Sequence, residues 1–547
     1  MEILEPPYLS DLGTSRMNPL LELGTRPRPI EDAWGFTLRN RMALHVGAHA
    51  RPERSLLVLG PPRDTGKTTS VLVPTVLVAF APVVAASTKD DVFAAIAQAR
   101  ALMGRLWHFA PDGTEPTPTG ARKLRWSPVP AAADWDMAVT TAEVMVSVAN
   151  ATLGGHSADG GFWSIQAGGL LAPLLHAAAL GNRDMRTVMR WVMLRDLQEA
   201  AGILEGLKDR SAGTRTAWDL LVGATRTARN ELSGYWGSAN AALAPYRREA
   251  ALEVTDRPNF DPQAFVLGSR RPHNPGLLSY DTLYINSSGL NQERLAPLIV
   301  ALLTEIKEAR YRLHRIARAD QPGAYLPPTV LALDETANIA PIPDLPSIIS
   351  QGGSQGVVVV AVFHHLGQAK ARWGNDGLGF LTTFQERLVF PGIWERETLE
   401  AISVVIGGWD RPITSYLEDA HSTDPRRSSY QHSFTRQPIL SPAEIQAGRP
   451  EVPEAALFLQ GRSYGWIHTT PYYACPPWPH LLVTAMERWA AAPADYPQRA
   501  LPIPELDRVD PTTGVPWLWQ AGGQPLWDRY HQARDALRRP PPRPLPR

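Results

Sequence analysis

Three groups of residues in this chain have the types and spacing needed to bind a polyphosphate and to cleave it. The first is the decapeptide 60–69, Gly-Pro-Pro-Arg-Asp-Thr-Gly-Lys-Thr-Thr, which follows the apolar run 56–59. A glycine-containing turn between a strand and a helix points backbone N–H groups at an anion. The spacing predicts that Lys67 reaches the β- and γ-phosphates and that the Thr68 hydroxyl is a ligand of Mg²⁺.

This phosphate loop departs from the usual motif in its length. Five residues separate Gly60 from Gly66, whereas the usual pattern has four between its glycines. Either Pro61 occupies the first motif position, or the loop carries one extra residue. In both cases the residues predicted to bind nucleotide are those that end the loop and open the helix: Arg63, Asp64, Thr65, Gly66, Lys67, Thr68 and Thr69.

The second group is the pair of acids Asp334 and Glu335, which directly follows the apolar run 329–333. A strand that ends in carboxylates delivers them to one edge of a sheet. Asp334 is predicted to hold Mg²⁺, directly or through water, and Glu335 to act as the general base for the attacking water. Two solvated acids at a strand end are the alternative, and the presence of Lys67 favours the catalytic interpretation.

The third group is His364 and His365, which follow the apolar run 357–363. A polar residue at this position can contact the γ-phosphate or the attacking water, so His364 is predicted to be a catalytic sensor. The alternative is an ordinary pair of turn histidines. A metal site is not favoured, because adjacent side chains of an extended segment point to opposite faces.

These residues need a sheet whose strands end at one edge. Strands are predicted at 56–59, 83–86, 105–109, 282–285, 329–333 and 357–363. The last two are continuously apolar, which indicates a parallel sheet covered by helices on both faces. From about 131 to 250, Ala- and Leu-rich helical patterns replace the strand signals. The predicted fold class is therefore an α/β P-loop domain with an inserted all-α domain.

The chain has 547 residues, which is enough for two or three domains. We expect an N-terminal arm at 1–54 and a Pro- and Trp-rich C-terminal tail at 491–547. The P-loop domain is expected at 55–130 and 256–490. The all-α domain is expected between these two parts, at 131–255.

Composition narrows the class of protein and its compartment. The formal net charge is +0, which argues against a protein that coats DNA over its whole surface but not against a local basic channel. The single cysteine, Cys475, excludes an intramolecular disulfide and fits a reducing compartment. No signal peptide or membrane span is recognisable, so we expect a cytoplasmic protein, with peripheral attachment at the inner face of the cell membrane as an option.

Longer blocks resemble the TraG/TraD-type coupling proteins of conjugative type IV secretion, particularly the actinobacterial branch. The most specific block is 333–345, Leu-Asp-Glu-Thr-Ala-Asn-Ile-Ala-Pro-Ile-Pro-Asp-Leu, followed by Ser-Gln-Gly-Gly-Ser-Gln-Gly at 350–356. The resemblance covers most of residues 55–475. Further marks are the phosphate loop, Ala-Ser-Thr-Lys-Asp-Asp at 86–91, Trp126-Ser-Pro, Gly161-Phe-Trp163, and Arg-Gln-Pro-Ile-Leu-Ser-Pro-Ala-Glu-Ile at 436–445.

The resemblance implies a hexameric, RecA-like ring ATPase with its all-helical domain near the pore entrance. Such motors use ATP and Mg²⁺ to drive relaxase-bound single-stranded DNA into the secretion channel. The matching motif positions are Lys67 and Thr68 for phosphate and Mg²⁺, and Asp334 and Glu335 for the second-motif acids. The alternatives are a HerA/FtsK-type DNA translocase and a nucleotide-binding scaffold that recruits relaxase but hydrolyses little.

Several features depart from the family pattern. The phosphate loop is one residue longer than is usual in the family. His364 stands where a Gln is usual, and the segment 352–355 lacks an arginine that many members carry. An arginine acting across a subunit boundary would then be Arg387 or Arg372. The usual N-terminal transmembrane helices are not recognised, which predicts a membrane-anchored secretion partner or a role away from the membrane.

Direct signals of DNA binding are ambiguous. Four arginines lie along one helical stretch and offer either a phosphate-tracking face or a solvated helix end: Arg310, Arg312, Arg315 and Arg318. The tryptophans Trp126, Trp135 and Trp163 could stack on bases, although Trp is more often a core residue. DNA as the substrate is therefore an inference from the resemblance.

Overall fold

The computed structural model describes residues 30–33 and most of 54–469. The predicted nucleotide ligands Arg63 and Asp64 and the predicted C-terminal tail lie outside the described residues. Within 54–469 the residues left undescribed are 63–64, 80, 89, 102, 119, 153–157, 227–228, 271–277, 288–290, 321–326, 418–428, 451–454 and 461–462.

The centre of the molecule is one large β-sheet. The described strands are β1 (Ile30–Ala33), β2 (Leu56–Leu59), β3 (Val83–Ser87), β4 (Leu106–Phe109), β5 (Arg122–Lys123), β6 (Ser269–Arg270), β7 (Leu278–Ser279), β8 (Thr282–Asn286), β9 (Thr329–Leu333), β10 (Val357–Phe363), β11 (Glu386–Val389), β12 (Gly408–Leu417), β13 (Ser429–Pro438), β14 (Ala455–Gln460) and β15 (Ser463–His468). Eleven of them form the sheet, in the order β1-β15-β14-β11-β2-β10-β9-β3-β8-β4-β5.

The six predicted strands, β2, β10, β9, β3, β8 and β4, run parallel to one another, as the sequence predicts. The strands β11 and β5, which the sequence did not predict, pair in parallel with β2 and β4. The apolar side chains of the six predicted strands alternate between two buried clusters, one on each face. In β2, Leu57 and Leu59 join one cluster, and Leu56 and Val58 join the other. Burial on both faces explains why these strands read as continuous apolar runs rather than as alternating ones.

Helices cover both faces of the sheet. The first, α1, begins as a π-helical segment at Lys67–Leu72 and continues as Val73–Val78. The others are α2 (Asp90–Ala101), α3 (Trp135–Thr152), α4 (Ala158–Leu180), α5 (Met185–Leu194), α6 (Gln198–Leu207), α7 (Ala212–Arg226), α8 (Arg229–Ala242), α9 (Glu249–Glu253), α10 (Pro262–Leu267), α11 (Gln292–Asp320), α12 (Thr336–Ile339), α13 (Leu345–Gln351), α14 (Leu366–Trp373), α15 (Asn375–Leu378), α16 (Phe380–Thr383), α17 (Arg396–Ile406) and α18 (Pro442–Ala447).

The segment that carries α3 to α9 is helical throughout its described part, as predicted. Its apolar side chains share one continuous buried cluster with α11 and one face of the sheet. The fold class predicted from the sequence, an α/β domain with a mostly parallel sheet and an all-α insertion, is therefore confirmed.

Sequence patterns did not predict the strands at one side of the sheet. One of these strands is β1, which lies in the predicted N-terminal arm and pairs in parallel with β15. The strands β12 and β13 pair only with each other and form a ribbon between α17 and α18. None of the described helices has both the length and the apolarity needed to cross a bilayer.

Candidate nucleotide-binding site

The phosphate loop leaves the sheet at the end of β2 and turns directly into α1. The Gly60 backbone N–H donates to the Phe363 carbonyl over 3.2 Å, which ties the loop to β10. Gly66 has a φ of +83°, a conformation that L side chains rarely adopt, and a Cβ there would lie 3.0 Å from the Ser70 Oγ. The glycine therefore allows the sharp entry into the helix.

Lys67 is the first residue of α1, and its side chain is only 6% exposed. Its ammonium group donates to the Pro61 carbonyl oxygen and, over 3.2 Å, to the Thr65 Oγ1. Oxygen atoms of the loop thus accept hydrogen bonds from the ammonium group of this lysine. A phosphate group would replace neutral oxygens by a charged acceptor, which makes stronger hydrogen bonds.

Thr68 and Asp334 meet although 266 residues separate them. The Thr68 Oγ1 donates to the Asp334 Oδ2 over 3.3 Å. The Ser87 Oγ, at the end of β3, donates to the same oxygen over 3.3 Å. This meeting follows from the sheet order, because β3 and β10 flank β9 and the parallel strands end at one edge.

The carboxyl of Asp334 has an unusual electrostatic environment. Burial, and next the charge of Glu335, raise its pKa to about 6, while Lys67 and the hydroxyls of Thr68 and Ser87 oppose the shift. A carboxylate and a hydroxyl are oxygen ligands of the kind that Mg²⁺ prefers. A cation would favour the ionised form that burial disfavours. The donor set therefore fits a magnesium ion.

Glu335 has a strained backbone. Its φ of 53° and ψ of 49° lie in the left-handed region, which costs a non-glycine residue about 1 kcal/mol or more. The next residue holds the turn in place. The Thr336 Oγ1 donates to the Leu333 carbonyl over 3.0 Å and accepts from the Val362 N–H at 3.1 Å. Glu335 lies close enough to Asp334 for its charge to raise the pKa of that carboxyl.

His364 lies at the end of β10, close to both Lys67 and Glu335. Burial lowers the pKa of His364, and the positive charge of Lys67 lowers it further, while Glu335 opposes the shift. The ring is therefore neutral at pH 7, and its Nδ1 is buried without a hydrogen-bond partner. A neutral imidazole with an open nitrogen can exchange a hydrogen bond with a phosphate oxygen or a water molecule.

The residues that follow β11 support the phosphate loop. A Cβ at Gly60 would lie 2.8 Å from the Cβ of Phe390, so the aromatic residue packs directly on the loop. Glu395 pairs with His365, with 3.2 Å between its Oε1 and the Nδ1, and its Oε2 accepts from the Thr398 N–H at the start of α17. These contacts fix the chain on both sides of the loop.

Sequence reasoning missed Ser87, Thr336 and Phe390. Ser87 lies in the 86–91 block, at the end of an apolar strand, and Thr336 directly follows Glu335 in the 333–345 block. A hydroxyl residue at the end of an apolar strand was therefore a usable signal. Phe390 carried no signal, because an aromatic residue after a strand is common.

The structure does not bring the two candidate arginines to the phosphate loop. The Arg387 side chain is 5% exposed, and its Nε donates to the Phe384 carbonyl over 2.9 Å, before β11 begins. Burial lowers the pKa of Arg387. The Arg372 guanidinium pairs with Glu293 at 2.7 Å. A role for either arginine in a neighbouring subunit stays a prediction, and the burial of Arg387 does not favour it.

Two features considered for DNA binding have structural roles instead. Arg310 is 1% exposed and donates to the Gly356 carbonyl over 3.0 Å, so it is not part of an exposed basic face. Trp126 is 2% exposed, and its indole N–H donates to Glu305. The rings of Trp135 and His176 pack in a T-shaped arrangement, with their centroids 5.5 Å apart. The side chain of Trp163 lies outside the described residues.

A family model described as the TraM recognition site of TraD and TraG matches residues 328–449. This segment contains both acids, His364 and the strands β9, β10 and β11. The resemblance to TraG/TraD-type proteins is thereby confirmed. The comparison does not distinguish the actinobacterial branch.

Solved structures of the bacterial conjugative coupling protein TrwB share the fold. The complex with the non-hydrolysable ATP analogue ADPNP has a TM-score of 0.54 and 18% identity, covering 81% of this chain and 93% of that chain. The complex with ADP and Mg²⁺ has a TM-score of 0.53 and 18% identity, covering 82% and 93%. The unbound form has a TM-score of 0.53 and 17% identity, covering 78% and 87%. No curated protein sequence matches the chain.

At this level of identity, the likeness establishes the fold. The chain has a RecA-like P-loop domain, whose mostly parallel sheet carries helices on both faces, and an inserted all-α domain.

Proposed function

We propose that this chain is an ATP-driven DNA-translocating motor, the coupling protein of conjugative DNA transfer through a type IV secretion system. The observation that carries the proposal is the meeting of Lys67, Thr68 and Asp334 at one sheet edge, with Thr68 Oγ1 3.3 Å from Asp334 Oδ2. The TraG/TraD-type segment at 328–449 and the fold of TrwB support it.

Each site residue has a role that its position supports. Lys67 binds the β- and γ-phosphates, and backbone N–H groups at the start of α1 add to the anion site, which extends to Thr65, Gly66 and Thr69. Thr68 and Asp334 hold Mg²⁺, which when bound neutralises charge on the phosphates. Arg63 and Asp64 are proposed to line the same loop.

Hydrolysis is proposed to depend on two further residues. Glu335 accepts a proton from the attacking water, and the left-handed turn places its carboxylate beyond the end of β9. His364, neutral at pH 7, orients that water or a γ-phosphate oxygen by a hydrogen bond. An arginine from a neighbouring subunit, with Arg387 as the candidate named from the sequence, would complete the site.

The proposed partners follow from the family. They are single-stranded DNA, a relaxase, and other copies of this chain in a hexamer that forms on DNA and ATP. A TraM-type protein is a further proposed partner, since the family model for 328–449 is named for its recognition. We place the protein in the cytoplasm, at the inner face of the membrane when it is bound to a membrane-anchored secretion partner.

The domain boundaries are proposed on the same basis. The helical insertion at 131–255 divides the P-loop domain into the parts 55–130 and 256–490, with an arm at 1–54 and a tail at 491–547.

ATP hydrolysis measured with and without single-stranded DNA tests the proposal. A DNA translocase is expected to hydrolyse ATP faster when single-stranded DNA is present, and Lys67→Ala should lack both the basal and the stimulated rate. Nucleotide binding without hydrolysis would favour the scaffold that recruits relaxase. Stimulation by double-stranded DNA alone would favour a HerA/FtsK-type translocase.

A further inference from the structure

The long helix α11 lies between the helical insertion and the chain that follows the two site acids. On one side α3 packs along it, and on the other it contacts α12, which begins directly after Glu335. The two sides use opposite faces of the helix. Because residues advance about 100° each on an α-helix, Glu305 faces away from Lys307 and Arg310.

The face that points away from the insertion is anchored by charge. The Lys307 ammonium donates to the Asp344 Oδ2 over 2.5 Å, just before α13. The Arg310 Nε donates to the Gly356 carbonyl over 3.0 Å, immediately before β10, the strand that ends at His364. Both side chains are almost fully buried, at 7% and 1% exposed. The segments behind Asp334, Glu335 and His364 are therefore fastened to α11.

The face that points toward the insertion makes two polar contacts. Near the surface, the Arg312 guanidinium pairs with Asp134, just before α3, at 3.6 Å. The buried contact joins Glu305 to Trp126. The Trp126 Nε1–H donates to the Glu305 Oε2 over 2.6 Å. Burial raises the pKa of Glu305 to about 7, with a further contribution from Asp261, while the indole opposes the shift. Within the part of the chain that the structure describes, the indole is the donor found on this buried carboxyl, so its loss is costly.

Trp126 lies on the linker that enters the insertion, and this linker is bonded to the one that leaves it. The Trp126 N–H donates to the Val254 carbonyl over 2.7 Å, and the Asn259 N–H donates to the Arg125 carbonyl over 3.0 Å. The Asn259 side chain adds a bond to the Lys123 carbonyl over 3.1 Å. The two linkers are thus tied to each other by hydrogen bonds, and Trp126 joins them to α11.

We propose that α11 couples the nucleotide site to the helical insertion, and that Trp126 and Glu305 are the positioning residues that transmit the coupling. A change at Asp334 and Glu335 on nucleotide binding shifts α12, and α11 carries the shift to the insertion through the indole–carboxylate bond. This inference rests on the proposed function, because it takes a nucleotide as the ligand of the site.

Hydrogen exchange of the full chain, with and without Mg²⁺ and a non-hydrolysable ATP analogue, tests the coupling. In the natural chain we expect nucleotide to slow exchange both in α1 and in α3. In Trp126→Phe and Glu305→Ala the response of α1 should remain, and that of α3 should fall about tenfold. Glu305→Gln keeps an acceptor for the indole and should retain the response.

Two matched substitutions control for nonspecific effects. Trp218→Phe changes a tryptophan of the insertion that lies under Lys208, and Arg315→Gln changes an exposed residue of α11. Neither should alter the response of α3. Melting temperatures identify any variant that fails to fold. If Trp126→Phe does not fold, the comparison of Glu305→Ala with Glu305→Gln tests the coupling.

The outcomes separate the coupling from the proposed function. Slower exchange in α1 with an unchanged α3 in the natural chain, or a full α3 response in both Trp126→Phe and Glu305→Ala, overturns the coupling and leaves nucleotide binding intact. No change at either helix overturns the proposed function and the coupling with it.

Discussion

The edge of the sheet that carries the site and the helical insertion treat their buried histidines in opposite ways. In the insertion, His176 has a partner at each ring nitrogen, the Ala132 carbonyl at 2.7 Å and the Thr214 hydroxyl at 3.1 Å. At the site edge, the Nδ1 of His364 is buried without a hydrogen-bond partner. Satisfied polar groups stabilise a fold, whereas unsatisfied ones are available to a ligand.

The environment of the carboxyl groups follows the same division. Backbone geometry does not, since Asn182 and Arg195 of the insertion share the left-handed conformation of Glu335. In the insertion, Glu199 of α6 accepts hydrogen bonds from Arg190 and Trp191 of α5 and from Arg183, just before α5. At the site edge, burial raises the pKa of Asp334. The comparison teaches that these polar side chains of the insertion stabilise the folded state, whereas those at the site edge are less stabilising and remain able to bind a ligand.

The largest expected effect is at Lys67. The Lys67→Ala variant should lose nucleotide turnover, because the buried ammonium is the positive charge proposed to bind the β- and γ-phosphates. Steady-state phosphate release measures this. Lys208→Ala, which removes a lysine of the insertion, should keep the natural rate. Turnover in Lys67→Ala comparable to that of the natural chain would remove the loop from the mechanism.

The next effect separates binding from chemistry at the site edge. Glu335→Gln should bind nucleotide with an unchanged Kd and hydrolyse it about 10²- to 10⁴-fold more slowly, because the amide cannot accept a proton. Calorimetric titration and single-turnover kinetics give the two quantities. Glu400→Gln, on the exposed side of α17, is the matched control. A natural rate in Glu335→Gln would sink the general-base assignment.

Asp334 makes the site sensitive to pH. Since burial raises its pKa to about 6, the neutral acid dominates below that pH and a proton competes with Mg²⁺. The affinity for Mg²⁺ and nucleotide should therefore fall by about tenfold per pH unit below pH 6.

The raised pKa of Asp334 also affects the stability of the ligand-free protein, and here the dependence on pH has the opposite sign to that of ligand affinity. The folded state holds this proton more tightly than the unfolded one, so stability should decline as pH rises from about 4 to about 6. Asp334→Asn should remove both dependences. A pH profile that is the same in Asp334→Asn and in the natural chain would assign the effect to another group.

A buried polar residue of the insertion should show the reverse pattern. His176→Ala leaves the Ala132 carbonyl and the Thr214 hydroxyl without their partner, and should lower the free energy of unfolding by about 2–4 kcal/mol. Its Kd for nucleotide should not change. His364→Ala is the variant for comparison. It should slow turnover and change the free energy of unfolding little. Equal losses of stability in the two variants would contradict the division between the regions.

The smallest expected effect is a gain. Glu335→Gly relieves the left-handed strain and should raise the free energy of unfolding, by less than about 1 kcal/mol, because glycine also gains entropy in the unfolded chain. Denaturant titration measures it. Glu397→Gly, in a regular helix, should instead lose up to about 1 kcal/mol. A loss at both positions would mean that the turn at Glu335 is not strained.

Local patterns were sufficient for much of the fold and for the centre of the site. Continuous apolar runs predicted β2, β3, β4, β8, β9 and β10, because a strand buried on both faces needs apolar side chains at every position. Glycine before Lys67 and the acids after β9 predicted which residues end those strands. The strands β1, β14 and β15 were missed, because they lie beside segments rich in Pro, Gly and polar residues.

The sequence by itself determined that a phosphate loop and two acids follow apolar strands, and that a helical segment interrupts the α/β pattern. These features rest on residue types and short spacings, which act locally. Only the tertiary structure decided that Ser87 joins Thr68 on Asp334, that Arg310 and Arg387 are buried on backbone carbonyls, and that Trp126 meets Glu305. Those pairings depend on strand order and on the packing of α11, and neither is encoded in a local pattern.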